Sequence, residues 1–506
     1  MRRNKIFIPV IVITSLVFLI YRWATKAASL RSASRMDSYE ALDAYFERQL
    51  QRLHIPGAAL AVVEGDQIVH MRGFGRSCPG GDTPTPKTPF FIGSLTKSFT
   101  ALAVMQLVEA GKIELDAQVQ RYLPWFRIAD SGASARITVR HLLNQTSGLP
   151  MLPGLLKLVD FDQREDATEH QVRILSTLKI TRPVGSKCEY SNLNYNILGL
   201  LIEVASGKTY SDYIQKNIFD PLEMHHSYTV RETAQQNGLA VGFRHWFSWP
   251  FPAWNMPLPH GSLPAGLLIS CAEDMAHYLI AHLCGGCYKD TQILSSAGID
   301  EMHHGAVEYF MLGMSGGFYG MGWFDIDLGR TKTYFHGGNL PDFSAFMGIV
   351  PERNRGLVLL LNADPYGLPP ILEEVGMNLV ALLAGQQPAP IRLDFIQWIM
   401  RLLPLIPLVQ ILGVFSTLGR LKRWRETPVP CNTRARVWGK HVLLPLAPNL
   451  SLAAGLVYLR SSGLLRYFDI YLPDLAWITR ISGSFAALWA VMRTALTLKI
   501  LNKNHP

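Results

Sequence analysis

The 506-residue chain has little of what metal or redox chemistry needs. Its six cysteines are Cys78, Cys188, Cys271, Cys284, Cys287 and Cys431, and only Cys284-Gly285-Gly286-Cys287 has the spacing of a redox or zinc half-site. No second pair completes a ligand set, so that run reads as a structural or adventitious loop, in either oxidation state. No H-E-x-x-H is present. The adjacent pairs His225-His226 and His303-His304 point in divergent directions if helical, which argues against a metal site. Asp325 and Asp327 are expected on a strand or its turn with solvated side chains. Neither a metal nor a cofactor is expected. Internal repeats and low-complexity tracts are also missing. So is any nucleic-acid-binding motif, which leaves the formal charge of +9 to be explained otherwise.

Apolar residues are abundant instead. The hydrophobic fraction is 48% and mean hydropathy is positive, as bilayer segments would require. Arg2, Arg3 and Lys5 precede an uncharged run from Ile6 to Tyr21, either a signal-peptide core or a short anchor. Ala24-Thr25-Lys26-Ala27-Ala28 is an ambiguous cleavage site, and an uncleaved anchor is the preferred reading. Three further apolar segments follow at Phe395 to Leu418, Val442 to Tyr458 and Leu475 to Leu498.

Between the first and second of these, Arg420, Lys422, Arg423, Arg425, Arg434, Arg436 and Lys440 face only Glu426. By the positive-inside rule that loop is cytoplasmic, which puts the long stretch between the N-terminal apolar run and the first segment outside and the C-terminus inside. The basic N-terminus gives the same orientation independently. Contact with anionic lipid head groups then accounts for the charge, and no nucleic-acid partner is expected. Arg401, Arg480 and Arg493 fall near the ends of their spans, where they can snorkel. On this topology Cys431 is cytoplasmic and five cysteines are outside, an odd number that leaves at least one unpaired.

The chemistry sits in three short runs: Ser94-Leu95-Thr96-Lys97, Tyr190-Ser191-Asn192 and His336-Gly337-Gly338. Phe99, Leu102, Met105, Leu107 and Val108 fall at helical spacing with Gly111 as a stop, so Ser94 begins a buried helix. The helix terminus offers free N–H groups to a developing oxyanion, and its dipole disfavours a protonated Lys97. Lys97, one turn on, can take the serine proton if burial lowers its pKa. S-x-x-K alone also describes a helix cap beside a solvated lysine. The other two runs decide against that. Tyr190 and Asn192 follow the turn-like Pro183-Val184-Gly185-Ser186 and are expected on a loop reaching into a cleft. The glycines after His336 let a ligand backbone approach a strand edge.

In this order the runs resemble the penicillin-recognising serine hydrolases: class C β-lactamases, D-alanyl-D-alanine peptidases of that branch, and related esterases and aminopeptidases. Ile55-Pro56-Gly57, Gly73-Phe74-Gly75, Ile137 to Pro150 and Pro221-Leu222-Glu223-Met224 are similar to the same family, over roughly Met36 to Gly385. The resemblance implies that Ser94 is acylated, that Lys97 and Tyr190 share its proton, and that Asn192 orients the substrate amide. It also implies an oxyanion hole from the N–H groups of Ser94 and Asn339. One departure bears on substrate. His336-Gly337-Gly338 replaces Lys-Thr-Gly, exchanging a permanent cation that holds a substrate carboxylate for a group mostly neutral near pH 7. Carboxylate-bearing β-lactams are demoted, and amides, peptides and esters favoured.

Periodicity supports an α/β arrangement. Tyr39, Leu42, Phe46, Leu50 and Leu53 make a helix face; Ala58 to Val63 and Gln67 to Arg72 read as strands around Gly65-Asp66. Phe343 to Val350 and Gly356 to Asn362 form another hairpin before a helix from Ile371 to Leu383. The resemblance implies an antiparallel sheet flanked by helices, with a helical subdomain inserted from about Leu102 to His260. Thr83 to Pro89 and the aromatic stretch Phe243 to Trp254 look like loops. The division expected is an anchor or signal peptide over 1–35, a hydrolase domain over 36–390 and a membrane domain with three spans over 391–506.

The layout is also similar to membrane-bound peptidases that activate prodrugs by removing an N-acyl-D-amino-acid cap, the colibactin-maturation type. The expectation is therefore an extracytoplasmic, membrane-tethered serine hydrolase acting on a small peptide, amide or ester through an acyl-enzyme. A β-lactamase, D,D-peptidase or esterase is the runner-up, and a non-catalytic cell-wall sensor is the alternative of another class.

Overall fold

The computed structural model describes residues 39–504 apart from 159, 163, 165, 255–257, 312–313, 330, 365–368, 392–393 and 427–437. The apolar run from Ile6 to Tyr21, the whole segment 1–35, and Cys431, Arg434 and Arg436 lie outside the described residues.

Eight strands form one antiparallel sheet: β1 (Gly57–Glu64), β2 (Gln67–Gly75), β3 (Val307–Met311), β4 (Met314–Tyr319), β5 (Phe324–Leu328), β6 (Thr331–Leu340), β7 (Phe343–Val350) and β8 (Arg355–Leu361). Their order is β2-β1-β8-β7-β6-β5-β4-β3. The six later strands are a simple meander, and the early hairpin joins it where β1 pairs with β8, from Ala58 opposite Leu361 to Glu64 opposite Arg355. Residues about 300 positions apart thus pair near one end of the sheet. The apolar run Gly356 to Leu361 has no polar alternation because both faces of β8 are covered.

Alternate residues of the central strands feed two cores. Ala58, Leu60 and Val62 of β1 pack with α1 (Tyr39–Leu53), through Leu42, Phe46, Leu50 and Leu53, while Ala59, Ala61 and Val63 face the other way. On that second side lie α2 (Thr96–Glu109), α3 (Met151–Lys157), α4 (Asn192–Ser206) and α5 (Ala272–Leu283). The α2 helix is buried without interruption from Thr96 to Met105, its polar Thr96, Lys97, Ser98 and Thr100 included. Returning at the end of the sheet, α6 (Pro369–Leu383) lays Ile371, Leu372, Val375 and Leu379 beside α1.

The C-terminal region is helical: α7 (Asp394–Leu402), α8 (Leu405–Glu426), a π turn at Trp438–Leu443 leading into α9 (Leu444–Ser461), then α10 (Leu464–Tyr471) and α11 (Pro473–Asn504). Leu405–Glu426, Trp438–Ser461 and Pro473–Ile500 are long and apolar enough to cross a membrane. The first begins about ten residues after the expected Phe395. Pro404 lacks an N–H and interrupts the helix, and α7 is a separate amphipathic piece. Its Met400 joins the core beneath α1 and α6, with Leu403 just after it, while Trp398, Ile399 and Leu402 face outward. Arg401 is thereby an exposed residue of α7 rather than part of a span. Arg480 of α11 pairs with Asp469 of α10, and Arg493 donates to the His441 carbonyl at 3.4 Å.

Two other local expectations are revised. Phe243 to Trp254 is a hairpin, Gly242–Trp246 with Trp249–Ala253, its tight turn carrying Phe247 and Ser248 at φ of 47° and 73°. Asp325 is buried, holding Lys332 at 2.7 Å and the Gly305 N–H at 3.2 Å, whereas Asp327 is exposed as expected.

Candidate active site

Ser94 owes its position to a turn that only glycine makes easily. Phe90 and Phe91 pair with Ser270 and Ile269, and the Ile92 N–H reaches the Leu268 carbonyl at 3.0 Å. The chain then swings through Gly93 at φ 55°. Ser94 lies in one turn of 3-10 helix, Gly93–Leu95, that runs into α2. The Thr96 hydroxyl locks this turn, donating to the Gly93 carbonyl at 2.7 Å and accepting the Leu268 N–H at 3.2 Å.

Lys97, three residues on, is fully buried. Its Nζ is 3.0 Å from Ser94 Oγ and 2.6 Å from the Ala265 carbonyl oxygen. The rings of Tyr190 and Tyr195 stand 4.9 and 5.7 Å from it. Desolvation therefore acts unopposed and holds the amine well below its ordinary pKa of 10.5. A lysine so placed gives up its own proton more readily than an exposed one, and the serine hydroxyl is its neighbour.

The Tyr190 hydroxyl is hydrogen-bonded to Ser94, and its pKa is driven well above 10 by burial and by the nearby Tyr319. Burial thus favours the protonated phenol and the neutral amine, so of the two groups expected to share the serine proton Lys97 is the one favoured to accept it. Tyr190 lies on a loop, but Asn192 opens helix α4 and is 5% exposed, a correction to the loop expected for both. Ser191 caps that helix and donates its hydroxyl to the Pro150 carbonyl at 2.9 Å.

Gln145, which sequence reasoning passed over, organises this turn. It is fully buried at φ 58°. Its side-chain carbonyl accepts the Ser191 N–H at 2.9 Å and the Asn194 amide at 2.5 Å, while its backbone carbonyl accepts the Glu189 N–H at 2.8 Å. The only sequence signal was its place inside the stretch Ile137 to Pro150.

His336, Gly337, Gly338 and Asn339 are consecutive on β6, and two close approaches press that strand against the serine turn. A Cβ on Gly338 would stand 2.2 Å from the Ile92 carbonyl oxygen, and one on Gly93 would stand 2.7 Å from the Asn339 nitrogen. The Asn339 N–H is thus brought beside the residue preceding Ser94. Its side-chain amide donates to buried Asp364 at 3.2 Å. The His336 ring is buried, its pKa lowered to about 3 by desolvation and the neighbouring Lys97. Nδ1 is 2.6 Å from the Gly337 carbonyl, which can only accept, so Nδ1 carries the proton and Nε2 faces the Tyr319 hydroxyl at 3.5 Å. Tyr319, also missed in the sequence, backs the whole group with Phe324. Ser94, Lys97, Tyr190, His336 and the two glycines are therefore gathered at one place. A hydroxyl beside a desolvated amine, at a helix N-terminus, is a chemically suitable arrangement for attack on a carbonyl carbon.

Other histidines are packed or hydrogen-bonded within the fold. His303 stacks on Tyr334 and lies 3.0 Å from His282 Nδ1 in a buried aromatic cluster. His226, Cys271 and Asp274 come within metal-binding reach of one another. Asp274 is already engaged there, accepting the His226 N–H and the Ser227 hydroxyl, both at 2.7 Å. Cys78, Cys188, Cys271, Cys284 and Cys287 are free thiols. Burial pushes Cys188, two residues before Tyr190, up to about 12, which leaves it unreactive as a nucleophile.

A serine turn, a buried lysine one turn later, and a glycine strand crossing before them on an antiparallel sheet define a penicillin-binding-protein-like fold. The chain belongs to the Beta-lactamase family, whose description matches residues 42–376. It is 28% identical over 353 residues to Protein flp of Staphylococcus aureus (strain MRSA252), covering 68% of this chain and 67% of that one. It is 31% identical over 318 residues to Penicillin-binding protein 4 of Amycolatopsis lactamdurans, covering 61% and 81%. The octameric penicillin-binding protein homologue from Pyrococcus abyssi superposes with a TM-score of 0.62 at 28% identity, over 73% of this chain and 82% of that one.

Proposed function

We propose that this chain is a membrane-anchored serine hydrolase that cleaves peptide or amide bonds through an acyl-enzyme on Ser94. The carrying observation is the 3.0 Å separation between Ser94 Oγ and the desolvated Lys97 Nζ. Lys97 takes the hydroxyl proton as Oγ attacks the carbonyl carbon, and the N–H groups of Ser94 and Asn339 hold the oxyanion. Lys97, with Tyr190, returns the proton to the leaving amine, and water then releases the acyl group. Asn192 orients the substrate amide. In this reading residues 36–390 form the hydrolase domain on the extracytoplasmic side and 391–506 the tether, supported by three membrane-length helices.

The substrate class is a peptide or amide with a D-residue on the acyl side, as in removal of an N-acyl-D-amino-acid cap from a prodrug. The neutral His336 supports this ranking, since it offers no fixed charge to a β-lactam carboxylate. A D,D-peptidase or esterase is the second reading, favoured by the likeness to Penicillin-binding protein 4.

Intact-protein mass spectrometry after a fluorophosphonate probe tests the nucleophile: an adduct on wild type and none on Ser94→Ala is expected. No adduct on wild type would favour a silent sensor. N-acyl-D-asparaginyl amides, D-alanyl-D-alanine peptides and nitrocefin, compared on one preparation, test substrate class, and rapid nitrocefin turnover with inert peptides reverses the ranking. A reporter fused after Trp424 tests the topology and is expected on the cytoplasmic side.

A further inference from the structure

Gly337 leaves room beside β6, and a carboxylate fills it. A Cβ on Gly337 would stand 2.6 Å from Glu373 Oε1 and 2.9 Å from its Cγ. Glu373 reaches there from the first turns of α6, and it is half-buried. The carboxylate lies near enough to the site to raise the pKa of both Tyr190 and Tyr309. Its own position is costly. Desolvation alone pushes it up to about 7, with no Lys, Arg or His offsetting the burial. The adjacent Glu374 acts instead on Tyr45 of α1, where Arg48 and Arg52 also lie. A half-buried acid with no counter-charge among the described residues, one peptide from His336, is suited to a ligand that brings the charge.

The site's location decides which part of the ligand that is. Where Lys-Thr-Gly occupies positions 336–338, it holds a substrate carboxylate. In a peptide cut at its last bond that carboxylate belongs to the leaving residue. Here the same strand presents a neutral imidazole, a glycine and, behind the glycine, an acid. The electrostatic preference of the pocket is inverted.

We propose that Gly337 and Glu373 form a subsite for a protonated amine carried by the leaving portion of the substrate. The inference rests on the hydrolase reading above and adds to it the charge of the group that is released. Amides ending in a free carboxylate on that side are disfavoured by repulsion from the same acid.

The test uses full-length protein and matched N-acyl-D-alanyl amides whose leaving amine ends in an ammonium, in a neutral isostere or in a carboxylate. Wild type is expected to prefer the ammonium over the neutral compound in kcat/KM by about tenfold or more, the scale of one charge-assisted hydrogen bond. Glu373→Gln should bring that ratio to near one, and Glu373→Lys should invert it toward the carboxylate. Because the ratio is read within each variant, general damage to the site cancels. Gly337→Ala is the second variant: its methyl displaces the Glu373 carboxylate, so the preference should fall with the acid still present. A wild-type preference for the neutral or carboxylate compound overturns the subsite, as does a ratio unmoved in all three variants. Full turnover by Ser94→Ala would instead overturn the hydrolase reading.

Discussion

Replacing Lys97 by methionine separates the protonation state of the amine from every assumption about substrate. The side chains are similar in length, and Lys97 is fully enclosed. Burial lowers its pKa in the folded protein, so between that value and 10.5 the unfolded chain binds a proton that the folded one does not. Stability contributed by this residue must therefore rise with pH across that window and be lost as pH falls through it. The limiting slope for one proton is about 1.36 kcal/mol per pH unit, or about 2.7 kcal/mol over two units. Lys97→Met has no such slope. At roughly 1.5 °C per kcal/mol for a domain of roughly 350 residues, wild type should gain about 4 °C on the variant over two pH units inside that window. The hydrogen bonds lost to Ser94 and Ala265 shift the variant by a constant and leave the slope alone. Thermal unfolding of both proteins in the same detergent, followed by intrinsic fluorescence, measures the difference. Parallel melting curves against pH would mean that the amine keeps its proton in the folded state, and Lys97 could not then serve as the base.

The same variant should lose about 10²–10⁴-fold in the rate of fluorophosphonate labelling at Ser94, the range for removal of a general base. In wild type that rate should climb with pH as Lys97 deprotonates and show no fall attributable to Tyr190 below pH 10, since the phenol is held well above that value; a bell centred near neutrality would contradict the assignment of roles. Gly338→Ala drives a methyl to 2.2 Å from the Ile92 carbonyl and must part β6 from the serine turn. Labelling should slow about 10²–10³-fold, as for loss of an oxyanion donor, whereas Gly455→Ala, with open space around it, serves as the control. His336→Lys should raise nitrocefin turnover at least about tenfold relative to a neutral ester, and an unaltered ratio would remove charge at this position from the specificity argument.

Much of this protein was legible from local pattern. The spacing of Leu42, Phe46, Leu50 and Leu53 gave α1, and the alternation and turn chemistry around Gly65 gave the first hairpin, because both signals lie within a few residues of chain. The three active-site runs were equally visible, since each needs particular residue types side by side. Helix α4 began earlier than expected because Asn192 looked like part of the tyrosine loop, and its cap is bonded to Pro150, about forty residues away. The first membrane-length helix began later, because an apolar count does not register that Met400 is already committed to the core.

By itself, then, the sequence determined a serine, a lysine one helical turn beyond it and a strand without a fixed cation, since these follow from residue identity and short spacing. It also determined three apolar segments of bilayer length. Only the tertiary structure decided that Lys97 is stripped of water, because desolvation is the sum of groups as distant as Tyr190, Tyr195 and Ala265. Only the tertiary structure brought Gln145 under the Tyr190 turn and Glu373 behind Gly337, since contacts across such separations leave no local periodicity to read.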